Sequence, residues 1–272
     1  MQKIYDKVIE ILKEKTEKEV IKLDFTEGKT KLTESKLSGI PFIPINGSWP
    51  IDKDGNKLNF MLQINFEEMP KLKDYPKSGL LQIFISEKDG YGVDFNDPQN
   101  QDQWRIVYYE NISSPMDVEK IKKLAPVLNE EFLLPFDKNK EYKIEFRKEK
   151  QIPYADTLEF NEIFTEYIKK ELPKKYQVVS FFDLPEDIID KFYSSNETSS
   201  QISGYPAFTQ CDIRENFSNY EDYILLVQLD SDFEIEKEIM RWGDMGIANF
   251  FIKLDDLKNK DFSKVVYNWD CY

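Results

Sequence analysis

Amide side chains on predicted strands are the residues of this sequence best suited to orient a small ligand. Gln63 and Asn65 lie two positions apart, so they share one face of a strand, and Gln82 follows on the next strand. A later segment repeats the pattern with Gln228, Asp230 and Asn249. Amides both donate and accept hydrogen bonds, and a cleft with a few convergent polar groups is a usual form of binding site.

A tight turn borders the second set of polar residues. Gly243 suits a positive φ, and Asp244 tolerates turn geometry. Trp242 would offer a ring for stacking, and Arg241 a planar cation for contact with an anion. The tentative ligand-binding set is therefore Gln63, Asn65, Gln82, Gln228, Asp230, Arg241, Trp242, Asp244 and Asn249. In the alternative interpretation, which we favour for the amides, these groups satisfy backbone groups between two halves of the fold.

The composition excludes several catalytic and metal-binding chemistries. Histidine is absent, which removes the Ser and Cys triads that depend on it within this chain. Two cysteines without histidine cannot build an ordinary zinc site, so we expect Cys211 and Cys271 to be reduced thiols, with a disulfide left open. No Walker loop, nucleophile elbow or dinucleotide fingerprint occurs. We therefore predict no cofactor and lean toward a protein that is not an enzyme.

Carboxylates are the remaining candidates for catalysis or metal binding. One protonated and one ionised carboxylate can together catalyse hydrolysis. The chain has 51 acidic residues, so neighbouring pairs such as Asp94 and Asp97 carry little information. We predict no metal site, although an oxygen-ligand calcium or magnesium site within residues 94–102 stays open.

The acidic balance restricts the kinds of partner. There are 37 basic and 51 acidic residues, which gives a formal net charge of −14. Such a chain disfavours nucleic acids and anionic membranes, and it suits a basic protein partner. Charged residues interrupt the N-terminal segment, and apolar runs reach only strand length, so we expect no signal peptide and no membrane span. The expected location is the cytoplasm.

The hydrophobic pattern predicts a mixed order of strands and helices. Strands are predicted over residues 21–25, 58–66, 80–85, 104–110, 142–147, 223–230, 247–253 and 262–269. Helices are predicted over 2–20, 117–124, 158–171 and 185–193, and loops over 27–37, 196–201 and 231–238. Because the order shows no regular βαβ alternation, we predict an α+β fold with a mostly antiparallel sheet and several packing helices, in one compact domain over 1–272.

Similar segments recur in the same order along the chain. Gly39-Ile40-Pro41 is echoed by Gly204-Tyr205-Pro206, and each glycine precedes a glutamine, Gln63 or Gln228, by 24 residues. The segment 79–85 is likewise echoed by 246–252. We infer a duplication with halves 25–150 and 151–272, a paired architecture and not an array. If the halves pack about a pseudo-two-fold axis, the paired amides would converge near it.

The same motifs resemble those of the bacterial YwqG-like family of domain-of-unknown-function proteins. The resemblance runs from about Gly39 onward and rests on the two Gly-x-Pro turns and on segments 63–66, 79–85, 91–95, 242–246 and 265–272. It implies a compact intracellular α+β protein and supplies no catalytic or binding residues. It also suggests immunity-type partners.

Two functional hypotheses follow from the sequence. The first is a non-catalytic binding or interaction protein whose acidic surface engages a basic protein. The second is a protein that binds a small, unidentified ligand, or a hydrolase, using amide and carboxylate groups between the two halves. The first predicts sensitivity to loss of surface acids, and the second predicts sensitivity to replacement of Gln228 or Trp242.

Overall fold

One antiparallel sheet of ten strands forms the centre of the computed structural model, which describes residues 2–127, 134–177, 180–234 and 237–272. The strands are β1 (Lys18–Glu27), β2 (Lys36–Ser38), β3 (Asn59–Asn65), β4 (Leu80–Ile85), β5 (Trp104–Tyr109), β6 (Glu141–Gln151), β7 (Gln201–Ser203), β8 (Tyr223–Asp230), β9 (Asp232–Glu234), β10 (Lys237–Met240), β11 (Ile247–Lys253) and β12 (Val266–Asp270). The sheet has the order β12-β11-β8-β7-β1-β6-β2-β3-β4-β5, and β9 pairs with β10 separately.

The pairing of β1 with β6 lies in the middle of this sheet. The two strands run antiparallel over ten residues, from Lys18 opposite Gln151 to Glu27 opposite Tyr142. On its other side β1 pairs with β7, a strand from much later in the chain, and β6 pairs with the early strand β2. Four strands therefore lie on each side of the central pair, β2-β3-β4-β5 beyond β6 and β7-β8-β11-β12 beyond β1.

The sheet curls until its two ends meet. The Trp104 ring on β5 lies 5.9 Å from the Phe250 ring on β11 and 5.2 Å from the Tyr267 ring on β12. Alternation places Leu62 and Leu229 on the inner face of the curl. The main hydrophobic core therefore fills the inside of the curled sheet, where burial of apolar surface contributes roughly 25 cal/mol per Å².

Residues 90–101, which we call the strap, join the two ends of the sheet. Trp269 Nε1 donates to Gly90 O at 2.8 Å, and Tyr267 N donates to Pro98 O at 2.9 Å. Gln101 Nε2 donates to Phe262 O at 2.9 Å. The strap thus occupies hydrogen-bonding groups on and beside β12, which as an edge strand would otherwise expose them.

The described helices are α1 (Gln2–Thr16), α2 (Val118–Leu124), α3 (Leu158–Ile163), α4 (Lys169–Glu171), α5 (Glu186–Ser194) and α6 (Leu254–Lys258), and a π-helical turn (Phe164–Ile168) joins α3 to α4. Helices α1, α3 and α5 form a layer with its own core, whereas Ile121 of α2 and Leu257 of α6 pack in other clusters. Ile4, Val8 and Leu12 recur at helical spacing on α1 and pack in one cluster with Phe160 and Phe192. None of the described helices has the length and apolar character required to cross a lipid bilayer.

The structure confirms a mixed fold with a large antiparallel sheet and corrects several loop predictions. The predicted strands 80–85, 223–230 and 247–253 coincide with β4, β8 and β11. The predicted loops 27–37 and 196–201 instead contribute to β2 and β7, and Gln201 is fully buried. The charged loop 231–238 falls largely in β9 and β10, with residues 235–236 outside the described part. Polar residues hid these strands because a three-residue strand is too short to show alternation.

The Gly246→Ala variant should unfold at a lower denaturant concentration than the Gly55→Ala variant. A Cβ at Gly246 would stand 1.9 Å from Asp270 O, so the end of β12 would have to move away from β11. We expect Gly246→Ala to lower the free energy of unfolding by about 3 kcal/mol or more. At Gly55, where φ is +85° and no atom lies within 4 Å, alanine should cost about 1 kcal/mol. Equal losses in urea denaturation would contradict this account of the turn.

Candidate functional site

The first set of amides holds a Gly-Pro segment against the sheet. Gln63 Oε1 accepts from Phe42 N at 2.9 Å and from Gln82 Nε2 at 2.7 Å. Gln63 Nε2 donates to Leu32 O at 2.8 Å, and Gln82 Nε2 also donates to Phe42 O at 2.7 Å. Both glutamines are fully buried. Their amides satisfy backbone groups of segments that lie over the outer face of the sheet.

The second set of amides forms the same kind of bonds with backbone groups on the other side of the sheet. Gln228 Oε1 accepts from Ala207 N at 2.7 Å, and Gln228 Nε2 donates to Ser199 O at 2.8 Å. Asn249 Nδ2 donates to Ala207 O at 2.8 Å. Both side chains are fully buried. Ala207 therefore takes the place in this half that Phe42 has in the first.

The two amide sets do not converge, which corrects the expectation of a shared cleft near an axis. In the sheet order, β2, β6, β1 and β7 separate β3 from β8. Each set stays on the outer face of its own side because the amides alternate with the core residues. The structure thus supports the interior role for Gln63, Gln82, Gln228 and Asn249.

Trp242 and Arg241 also lie apart from any shared cleft. Trp242 is fully buried, and its ring lies 5.3 Å from the Tyr91 ring at an interplanar angle of 87°. Its ring therefore gives no exposed surface for stacking, contrary to the prediction. Arg241 is exposed and forms an ion pair with Glu238 at 2.6 Å.

Asp230 and Asp244 both line a cavity of about 740 Å³, which we call the acidic cavity. It lies among the ends of β8 and β11, the turn after Trp242 and the loop after α5. Its carboxylates are Asp156, Glu197, Asp230 and Asp244. Tyr154, Tyr193, Phe208 and Tyr272 supply aromatic walls, and no lysine or arginine of the described residues lines it. The cavity therefore combines negative charge with ring surfaces, the two features that attract an organic cation.

Asp230 differs in environment from the residue at the matching position of the first half. There, Asn65 is buried and bonded on both sides, with Nδ2 donating to Thr33 O and Oδ1 accepting from Glu67 N. Asp230 instead lies at the wall of the acidic cavity, and burial raises its pKa to about 6. Bonds from the Thr198 side chain and the Ser231 backbone, and the charge of Lys22, lower the pKa of Asp230 but do not offset burial. A buried carboxylate with a perturbed pKa beside a cavity is a candidate functional group.

One further acid and one hydroxyl of the acidic cavity have perturbed surroundings. Burial raises the pKa of Asp156, whose Oδ1 accepts from Tyr193 Oη at 3.0 Å. The hydroxyl of Thr209 is shielded from solvent and has no hydrogen-bond partner among the described residues. A ligand with a hydrogen-bonding group beside Thr209 would satisfy this hydroxyl.

A second cavity, of about 580 Å³, contains charges of both signs. Lys18, Glu159 and Arg214 line it. The buried guanidinium of Arg214 donates to Glu159 through two bonds of 2.9 and 2.8 Å and to Asp212 Oδ2 at 2.6 Å. These bonds make Arg214 part of a structural ion network that joins the loop before β8 to α3.

In the acidic loop 94–102, the carboxylate of Asp94 caps the loop's own backbone, and that of Asp102 lies 3.9 Å from Lys53 Nζ. Asp94 Oδ1 accepts from Asn96 N at 3.0 Å and from Asp97 N at 3.3 Å. Across the described ranges, no group of three or more Cys, Asp or Glu residues is arranged to hold a metal ion. Cys211 and Cys271 do not pair in the structure.

Sequence reasoning found Asp230 and Asp244 but missed most of the acidic cavity. Asp156 and Glu197 were hidden among 51 acidic residues, and 196–198 belong to a segment predicted as exposed loop. The change from Asn65 to Asp230 between matching strands was the available signal, because it marks a position where one half has an amide and the other a charge.

Comparison with known families gives a match and no activity. The model of a family described as a domain of unknown function (DUF1963) matches residues 35–271. The match and the resemblance of the motifs agree in that both indicate a family of unknown function. No curated protein matches the chain.

Removing either central glutamine should destabilise the fold. Gln63→Leu and Gln228→Leu each leave a buried backbone N–H without its acceptor, so we expect a loss of about 2–4 kcal/mol in the free energy of unfolding. Gln2→Leu, on the exposed face of α1, is the control and should change stability by less than about 0.5 kcal/mol. Stable variants that lose only ligand binding would show instead that the amides belong to a site.

Replacing Asp230 by asparagine should stabilise the protein near neutral pH. The folded pKa of Asp230, about 6, lies above the ordinary value of roughly 3.9, so wild-type stability falls as the pH rises between these two values. The asparagine of the variant carries no charge, so its advantage should grow over the same range and reach about 1–2 kcal/mol at pH 7. Thermal or urea unfolding from pH 4 to pH 7.5 measures this; a constant difference would contradict the assignment.

Proposed function

The chain belongs to the DUF1963 family, and we propose that it is a non-catalytic binding protein that takes a cationic side chain of a basic protein into the acidic cavity. The ligand group is an amine or a guanidinium. The observation that supports this most is the lining of the cavity: four carboxylates and four aromatic side chains, without a lysine or arginine among the described residues. A lysine or arginine side chain matches that lining in charge and in its apolar stem.

Burial of Asp230 explains how binding would gain energy. In the protein alone the ionised form of Asp230 is unfavourable, as its pKa of about 6 indicates. A cation beside it would restore the interaction that water no longer supplies, which lowers the cost of the charge. The formal net charge of −14 would add long-range attraction and increase the rate of encounter with a basic protein.

Exposed apolar groups at the rim fit a protein partner. Tyr272 is 85% exposed, Met245 53% and Tyr193 39%, and all three line the acidic cavity. A rim of this kind contributes packing to a protein surface, whereas a free amine would leave much of it in water. An immunity-type role, with a toxin as the basic partner, is the narrower form of this proposal and rests on the resemblance of the motifs.

A duplication would account for the paired architecture, and we propose that segments 25–150 and 151–272 of one domain are its copies. Ser35 Oγ accepts from Asn65 N at 2.9 Å, and Ser200 Oγ accepts from Asp230 N at 3.0 Å. Ser38 and Ser203 have φ of 60° and 64° just before the glycine of each Gly-x-Pro turn. The binding site then arose in one copy, at Asp230. A cytoplasmic location in a bacterial cell belongs to the same proposal, and the unpaired thiols Cys211 and Cys271 suit it.

Binding of cationic probes tests the proposal. We would titrate a lysine- and arginine-rich unstructured peptide, and separately spermidine, into the protein by calorimetry at pH 7.5 and pH 5. Asp230→Asn and Asp244→Asn should each raise the Kd for the peptide by about 10- to 100-fold, since a charge-assisted contact is lost. Affinity should also weaken at pH 5, because Asp230 is then mostly protonated. Glu166→Gln, an exposed acid on the π-helical turn, is the matched control for lost charge.

The outcomes separate the two sources of the cation. Tight binding of the peptide with weak binding of spermidine supports a protein partner. The reverse result points to a small amine. Equal effects of Glu166→Gln and Asp230→Asn would reduce the binding to general charge attraction, and no binding of either probe below about 1 mM would refute the proposal.

A further inference from the structure

A third cavity, of about 460 Å³, has a buried lysine in its wall. We call it the lysine cavity; it lies between α1, β6 and the loop after α5, and Lys22 of β1 lines it. Lys22 is buried, and its Nζ donates to Gln201 Oε1 at 2.7 Å. Among the described residues this neutral amide is its hydrogen-bond acceptor, and no carboxylate lies within ion-pair distance. A buried amine without a counter-ion is unusual, because burial penalises its charged form.

The neighbouring carboxylates are held by other cations. Arg147 lies opposite Lys22 on β6, and its guanidinium bonds to both Asp24 and Glu149. Glu17 at the rim of the lysine cavity pairs with Lys150 at 2.6 Å. Lys22 therefore lies among acids and yet has no ion-pair partner of its own among the described residues.

The remaining charged groups act on Lys22 from further away. Lys13 of α1 and Glu197 of the loop after α5 line the same cavity. The pKa of Lys22 is lowered to about 8, mainly by burial; the charges of Glu149, Asp230 and Asp24 raise it, and the guanidinium of Arg147, opposite Lys22 on β6, lowers it. At neutral pH an appreciable fraction of this amine is thus unprotonated, and only that form is a nucleophile.

Lys36 provides an internal comparison. It is 1% exposed, and burial lowers its pKa to about 8 as well. Its Nζ, however, donates to the carbonyls of Lys31 at 2.6 Å and Ile40 at 3.0 Å, and it lies 3.8 Å from Glu141. Lys36 is thus committed to structural bonds, whereas Lys22 lines a cavity and has a single neutral acceptor.

We propose that Lys22 is a nucleophilic amine that forms a reversible imine with a small aldehyde or ketone in the lysine cavity. The neutral Nζ attacks the carbonyl carbon, and the C=O π electrons move to oxygen to give a carbinolamine. The nitrogen then loses its protons as the oxygen leaves as water, and a C=N bond remains. Amine and carbonyl compound thus give imine and water, with no oxidant or reductant. Gln201 Oε1 keeps Nζ at a fixed place in the wall.

Trapping the imine on the intact wild-type protein tests this proposal. We would incubate the protein with limiting propionaldehyde and sodium cyanoborohydride at pH 7.5 and follow each lysine by peptide mass spectrometry. Lys22 should be alkylated at least 10-fold faster than the exposed lysines, whose ordinary pKa of roughly 10.4 leaves few of them neutral. Its rate should rise with pH and level off above about 8. The α-amino group also reacts in this range and is quantified separately.

Lys36 is the internal control. Lys36 should label at least 10-fold more slowly than Lys22, because it shares the lowered pKa but not the cavity. If Lys22 reacts no faster than exposed lysines, or if Lys36 matches it, the proposal is wrong. Labelling of Lys22 and calorimetric binding of cationic probes are separate measurements, so either proposal can fail without the other.

Discussion

The antiparallel ladder between β1 and β6 is the constraint on which the rest of the molecule depends. It joins ten residue pairs in the middle of the sheet. On one side β1 attaches to the flank β7-β8-β11-β12, and on the other β6 attaches to the flank β2-β3-β4-β5. The curl that encloses the aromatic core and the strap that spans its ends both require the two flanks to be in place. The pairing therefore positions the outer faces of the flanks, where the amides and the acidic cavity lie, and its own residues Lys22 and Gln151 line the lysine cavity.

The two flanks solve the same local problem and then diverge in chemistry. On each side buried amides form hydrogen bonds with the backbone that follows a Gly-x-Pro turn, at Phe42 in one flank and at Ala207 in the other. Gln63 and Gln228 are required for this structural role. At Asp230 the side chain is a carboxylate that lines the acidic cavity. The proposed binding function thus uses a position that the first flank still devotes to its own backbone through Asn65.

Much of the sheet could be predicted from sequence because its longer strands carry clear alternation or dense apolar runs. The predicted bounds of β4, β8 and β11 match the observed ones, and the similar segments identified strands on matching sides of the sheet. The short strands β2 and β7 were missed because their role depends on the partners that flank them. Asp230 and Asp244 were identified, but Trp242 was misplaced, since a Trp beside a Gly-Asp turn looks exposed until Tyr91 of the strap is brought over it. Lys22 could not be identified at all, because the sequence around it does not show that Asp24 and Glu149 bond to Arg147 instead.

The long sequence separation between β1 and its partner strands has a consequence for how the chain folds. About 120 residues separate β1 from its partner β6, and β7 lies further still along the chain. Such non-local pairings raise the contact order, and chains of this kind fold slowly because a long loop must close before the contacts compensate its entropy. During synthesis β1 emerges before β6 and β7, so it has no sheet partner until residues 141–151 follow. While the intervening residues are made, the nascent chain carries an unpaired, half-apolar strand, which favours aggregation of the incomplete chain.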